Sequence, residues 1–270
     1  MNISFGVNVW SFPHGTSVIE AMKKTAEIGF EGFEVAVVQE DLARFGSSTW
    51  REKWTQIKVE ADNLNLKMPS VATGLFWKYN MILEEQKREA LKVIEVECEV
   101  ASILNAEVIL VVPGVGLPKL TYEKHFTRAV EALKEAAKIA KKHDVKIGVE
   151  NVWNRVFAGP LEFKKLIDEV NDERVRVYFD IGNTLPHSLP EHWIRMLKKH
   201  IIQLHVKDFN MKELRFGIPL TGSVNWIEVR KALSEVKYNG FMVAEVPPYL
   251  GNPYKAIYDT YTSLRSIFQA

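Results

Sequence analysis

The stretch Val177-Tyr-Phe-Asp-Ile-Gly-Asn183 is an apolar run that delivers one carboxylate, Asp180, just before a glycine turn. A buried strand whose last polar residue must find a partner is a natural mounting for chemistry. Three other segments repeat the arrangement: Lys146-Ile-Gly-Val-Glu150, Ile201-Ile-Gln-Leu-His205 and Phe241-Met-Val-Ala-Glu245. Each runs apolar and ends on a potential metal ligand or acid/base. The fold is expected to bring these four ends together.

Outward from these segments, strands are expected over residues 3–10, 30–38, 67–73, 107–114, 146–152, 175–181, 201–207 and 241–246. Helices are expected over 18–28, 49–66, 84–105, 122–143, 160–170, 191–199, 226–236 and 253–268. Thr16 or Ser17 caps the first helix and Gly29 ends it. Repeated strand-then-helix units imply parallel strands joined by right-handed crossovers. Eight of them close a barrel without an exposed edge, so the expected fold is a single-domain α/β (β/α)8 TIM barrel over residues 1–270. A doubly wound open sheet would need a glycine-rich phosphate loop after its first strand, and Val9-Trp-Ser-Phe-Pro13 is nothing like one. Two polar loops stand out: one rich in Ser and Arg after the second strand, and a long irregular segment over 208–223, after the seventh strand, where barrel enzymes keep their active sites.

Composition agrees. With 270 residues, 47% apolar and 26% charged, the chain has the balance of a globular protein and not of a disordered one. A formal charge of +1 gives no reason to expect nucleic acid as a partner. The one cysteine, Cys98, cannot form an intrachain disulfide and reads as a small buried hydrophobe. Met1-Asn-Ile-Ser-Phe-Gly6 lacks the features of a signal peptide, and no apolar run approaches membrane-spanning length, so a cytoplasmic protein with no membrane partner is expected.

On a barrel, Glu150, Asp180, His205 and Glu245 end consecutive strands along one rim. Singly, each has a plain structural explanation, a salt bridge for a glutamate or a core hydrogen bond for the histidine. Together, three carboxylates and an imidazole repel one another or shift their pKa values unless a cation sits among them. The mostly oxygen donor set favours Mn²⁺, Mg²⁺ or Co²⁺, and the histidine keeps Zn²⁺ open.

The motifs Val149-Glu150-Asn151, Phe179-Asp180-Ile-Gly-Asn183, Leu204-His205-Val-Lys207-Asp208 and Ala244-Glu245-Val246, with Trp226 opening the seventh helix, carry a resemblance. The sequence resembles the xylose-isomerase-like TIM-barrel superfamily of sugar isomerases and epimerases, and within it the ketose 3-epimerases, including L-ribulose-5-phosphate 3-epimerase-like members. The resemblance implies one divalent ion, Mn²⁺ before the others, held by Glu150, Asp180, His205 and Glu245. It implies Glu150 and Glu245 as the acid/base pair that inverts C3 of a ketose or ketose phosphate through an enediolate. A small sugar substrate and a homo-oligomer follow from the same likeness. The alternatives within it are an aldose–ketose isomerase of hydroxypyruvate-isomerase type and an inosose-type dehydratase. The DNA-repair endonuclease of this superfamily needs further histidines where this chain has Pro69-Ser-Val-Ala72, Val111-Val-Pro-Gly114 and Asn183.

Departures are informative. Tagatose-type 3-epimerases carry a substrate-binding Glu six residues after the first ligand, here Val156, and a His three after the Asp ligand, here Asn183. Many relatives have a glycine where this chain has Leu220, two residues before Gly222. Candidate substrate contacts are Asn183, Lys207, Asp208, Arg215, Trp10, Phe76 and Trp77. Each has a second reading: Lys207 as the partner of Asp208, Asn183 and Asn151 as turn caps, Arg215 as a solvated charge, and the aromatic residues, Phe12 among them, as packing between loops.

Overall fold

The computed structural model describes residues 2–269. Barrel strands of four to six residues alternate with helices along them. In chain order these are β1 (Ile3–Asn8), α1 (Val18–Ile28), β2 (Gly32–Val37), α2 (Gln39–Arg44), α3 (Ser48–Asn63), β3 (Ser70–Thr73), α4 (Glu84–Leu104), β4 (Val108–Val111), α5 (Tyr122–His143) and β5 (Lys146–Glu150). Then follow α6 (Pro160–Val170), β6 (Val175–Asp180), α7 (Pro190–Leu197), β7 (Ile201–Val206), β8 (Asp208–Asn210), β9 (Arg215–Gly217), α8 (Trp226–Glu235), β10 (Gly240–Ala244) and α9 (Pro253–Phe268). Eight parallel strands close in the order β1-β10-β7-β6-β5-β4-β3-β2, the expected (β/α)8 TIM barrel. Closure pairs every strand on both sides and removes the exposed edges that an open sheet must protect.

Close contacts divide the chain into two units whose boundaries cut β2 after Glu34, α3 after Val59 and β6 after Tyr178. In the unit holding β1, β7 and β10, Phe5, Val7, Leu204, Met242 and Val243 are buried, and Phe179 stacks on Trp193 with ring centroids 5.9 Å apart. In the unit holding β3, β4 and β5, the core comprises Val71, Ile109 and Ile147 with Trp50, Ile94 and Leu133 from the helices.

Local caps explain the helix limits. Ser17 Oγ accepts the Glu20 N–H at 3.2 Å, Thr121 Oγ1 accepts that of Lys124 at 3.4 Å, and Gly29 closes α1 at φ +106°. The strand expected over 67–73 is shorter because Pro69 has no N–H to donate, and Lys67 makes only an isolated bridge to Gly32. The polar loop after β2 contains helix α2, whose Asp41 accepts the Val38 N–H at 3.0 Å and pairs with Lys53 at 2.6 Å. The segment 208–223 is likewise not irregular throughout. It contains the antiparallel hairpin β8–β9, with Phe209 across from Phe216, ring centroids 5.1 Å apart, and Asn210 Oδ1 accepting from Lys212 and Glu213 in the turn.

Candidate metal centre

Strand alternation decides which side chains meet. Residues two apart share a face, so His205 at the end of β7 brings Lys207 to the same side. Register sets Val243 beside His205 and Ala244 beside Val206, and Glu245 follows with its N–H bonded to Val206 O at 3.1 Å. Ser11 secures this turn: its Oγ donates to Ala244 O at 3.2 Å and accepts the Val246 N–H at 2.9 Å. On the next pair, Asn8 lies abreast of Glu34.

Asp180 ends β6 fully buried. One carboxylate oxygen accepts the Asn183 N–H at 2.9 Å, and the other accepts from Lys207 Nζ, which also donates to Glu245. Gly182 permits this approach, since a Cβ there would stand 2.7 Å from Lys207 Cγ and 2.9 Å from its carbonyl oxygen. The Lys207 ammonium lies 5.1 Å from the centroid of the Phe216 ring. Burial pushes the Asp180 carboxyl above its ordinary value, against the opposing pull of Lys207. Burial also acts upward on Glu245, but Lys207 and His205 outweigh it and leave that carboxyl below its usual range.

One ligand atom from each of Glu150, Asp180, His205 and Glu245 lies within 4.8 Å of the others, so the four residues singled out by the sequence do converge. Glu150 is the last residue of β5, Asp180 and His205 lie in β6 and β7, and Glu245 follows β10. Reading the sequence missed a fifth carboxylate, Glu34. It is fully buried at the middle of β2, with Oε2 accepting from Asn8 Nδ2 and 2.8 Å from His205 Nε2. Its only signal is a charge inside the apolar run Gly32-Phe-Glu-Val-Ala-Val37. As a set, Glu34, Glu150, Asp180 and Glu245 exceed the Lys207 ammonium by three charges (four minus one). Such an excess of buried carboxylate, with an imidazole beside it, fits a divalent cation.

The other candidates are distributed differently. Asp208 does not pair with Lys207. Its Oδ1 accepts the N–H groups of Phe209 (2.8 Å) and Val224 (3.0 Å), and its Oδ2 those of Leu220 (3.1 Å) and the Trp226 indole (2.9 Å). Four donors fill its acceptor capacity, so the carboxylate anchors the loop after β7 and is not left for substrate. Gly222 completes the anchor, because a Cβ there would meet Asp208 Oδ1 at 2.2 Å. Arg215 is exposed and pairs with Glu213 on the hairpin, as a solvated charge does. Phe76 is buried, as is Phe12, so both pack, whereas Trp10 and Trp77 expose their rings. Asn183 is half-buried and holds Asp180 through its main chain. Val156 is buried, and its N–H donates to Asn154 Oδ1 at 3.3 Å.

The family model described as Xylose isomerase-like TIM barrel matches residues 22–266. The chain belongs to that family. An uncharacterised protein of Methanocaldococcus jannaschii is 28% identical over 177 residues, 58% of each chain. The match therefore spans a little over half the length of that relative. Among solved structures, D-psicose 3-epimerase in the presence of D-fructose superposes with a TM-score of 0.84 at 15% identity, covering 99% of this chain and all of the other. The apo form of 3-keto-D-glucoside 4-epimerase from E. coli gives 0.80 at 17% identity, covering 98% and 100%. At these identities the likeness establishes the shared barrel of this xylose isomerase-like chain.

Proposed function

We propose that the chain is a divalent-metal-dependent epimerase that inverts C3 of a ketose or ketose phosphate, working as one domain over its whole length. The observation that carries the reading is the convergence of Glu150, Asp180, His205 and Glu245 within 4.8 Å, on a barrel shared with sugar epimerases. These four side chains would hold the ion, with Mn²⁺ the first choice for a set of three carboxylates and one imidazole. When bound, it supplies positive charge that makes a proton beside a ketose carbonyl more acidic. Glu150 and Glu245 are the acid/base pair, one removing the C3 proton and the other returning one to the opposite face. Asp180, buried and held by Asn183 and Lys207, is positioned as a ligand and not as a proton carrier. Lys207 balances part of the charge of the set, and exposed Trp10 and Trp77 offer surface for a sugar ring.

We propose cytoplasmic work as a homo-oligomer as well. Among the described residues no helix is long and apolar enough to cross a membrane, and Cys98 is buried, its thiol pKa pushed up by burial.

The test is incubation of free and phosphorylated pentuloses and hexuloses with the Mn²⁺-loaded protein in D₂O. Deuterium at C3 with the inverted ketose is expected. Label at C1 or C2 with an aldose product would mean an isomerase, and loss of water a dehydratase. Glu150→Gln and Glu245→Gln should each lower the exchange rate by about 10²–10⁴-fold. A panel in which no ketose exchanges at C3 refutes the proposal.

A further inference from the structure

His205 has two ring nitrogens, and the hydrogen bond to Glu34 decides which of them carries the hydrogen. Nε2 lies 2.8 Å from Glu34 Oε2, while Nδ1 faces Glu245 Oε2 at 3.9 Å. The Trp10 N–H donates to Asn8 Oδ1 at 2.6 Å, which commits the carboxamide oxygen and turns its NH₂ toward Glu34. Glu34 Oε2 therefore accepts from Asn8. A carboxylate oxygen has only lone pairs to offer, so the imidazole Nε2 beside it must donate. A neutral ring with hydrogen on Nε2 keeps its lone pair on Nδ1, the nitrogen turned toward Glu245.

Burial makes the arrangement binding. The side chains of Glu34 and His205 are both fully buried, so solvent cannot readily replace either partner. Glu34 is also outside the four-residue cluster, which leaves it beside a ligand and not among the ligands. Register holds the relay in place, because Asn8 and Glu34 are paired residues of adjacent strands.

We propose that Glu34 is the positioning residue of the metal centre: it fixes His205 as the Nε2–H tautomer with Nδ1 presented as the ligand atom, and Asn8 fixes Glu34 in turn. This rests on the metal reading of the site and adds to it a ligand atom and a reason for the buried charge on β2. The carboxylate also makes the imidazole a stronger donor to a cation, an effect commonly worth 10- to 100-fold in metal affinity. Because Asn8 binds the Trp10 N–H as well, the turn that carries this exposed indole is tied to the same ligand.

The experiment uses the full chain as wild type, Glu34→Gln and Asn8→Ala. Mn²⁺ binding is read by electron paramagnetic resonance of the free ion, and the His205 tautomer by long-range ¹H–¹⁵N correlation of the metal-free protein, assigned with His205→Asn. Glutamine preserves the size and one acceptor but removes the charge, so Glu34→Gln should weaken Mn²⁺ binding by about 10-fold or more. Asn8→Ala leaves the carboxylate and removes a neutral donor, for an expected loss of about 2- to 10-fold. Wild-type His205 should show hydrogen on Nε2, a signature that general destabilisation does not produce. Hydrogen on Nδ1 in the wild type, or Mn²⁺ affinity within about 2-fold of wild type in Glu34→Gln, overturns the proposal. If Glu34→Gln fails to fold, the wild-type tautomer and the Asn8→Ala affinity decide. A wild type with the Nε2–H signature that binds no divalent ion would overturn the metal reading of the site, and the affinity part with it, but not the positioning of the ring.

Discussion

Replacing Asp208 by asparagine tests whether the loop after β7 hangs from one carboxylate. Each oxygen of Asp208 accepts two N–H groups, at distances of 2.8–3.1 Å. Asparagine keeps one acceptor oxygen and turns an NH₂ toward the other two donors, so two bonds are lost and donors face donors. Hydrogen bonds to a charged group contribute about 1.5–3 kcal/mol each, so two of them give about 3–6 kcal/mol. The Leu220 N–H is only partly buried and recovers some of that through water, which leaves about 3–5 kcal/mol. For a chain of this size the loss should lower the melting temperature by about 6–20 °C. Calorimetry measures the drop, and hydrogen exchange of the Trp226 indole reports the local release. A loss below about 1 kcal/mol with indole exchange unchanged would refute the anchor.

Lys207→Met removes the ammonium shared by Asp180 and Glu245, and should destabilise the metal-free protein by about 3–5 kcal/mol. Added Mn²⁺ should then raise the melting temperature more in the variant than in wild type; an unchanged metal-free melting temperature contradicts this. Leu220 adopts φ +76° with its side chain more than half exposed, a conformation that costs a residue with a Cβ about 1–2 kcal/mol. Leu220→Gly should therefore stabilise by up to about 1 kcal/mol after glycine's added chain entropy, read as a small rise in denaturant midpoint. Burial, then the hydrogen bond to Glu162, pushes the Tyr122 hydroxyl from its ordinary 10.0 up to about 12. A raised folded value favours the protonated fold, so this contribution is full below pH 10.0 and lost as pH climbs toward about 12. Tyr122→Phe should make the alkaline decline in melting temperature shallower over that window, and an identical decline would remove Tyr122 as a cause.

The parts of the fold that were legible in the sequence are those with local causes. The limits of α1, α5, α6 and α9 matched because Ser17, Thr121, Pro160 and Pro253 mark helix starts within a few residues of themselves. Helix α2 has six residues, too few to display a 3.6-residue period, and its cap Asp41 lies inside the helix. The hairpin strands have three residues each and are joined by a turn with no Asn-Gly or Asp-Gly signal. At the site, four ligand candidates announced themselves by ending apolar runs. Glu34 did not, because its partner His205 is 171 positions away and its own strand continues past it. Asp208 looked like a substrate contact because a carboxylate beside a histidine motif carries no mark of how many donors later segments will aim at it. Those donors lie up to 18 positions downstream.

The Ser11 clasp has a consequence for synthesis. It joins the turn after β1 to residues 244 and 246, and β1 itself hydrogen-bonds to β10 along five paired positions. Strand β1 therefore waits for β10, made more than 230 residues later, before its own ladder is complete. Contacts of such long sequence separation form late and slowly. The cluster of Glu150, Asp180, His205 and Glu245 likewise waits for β10, because its last member follows that strand.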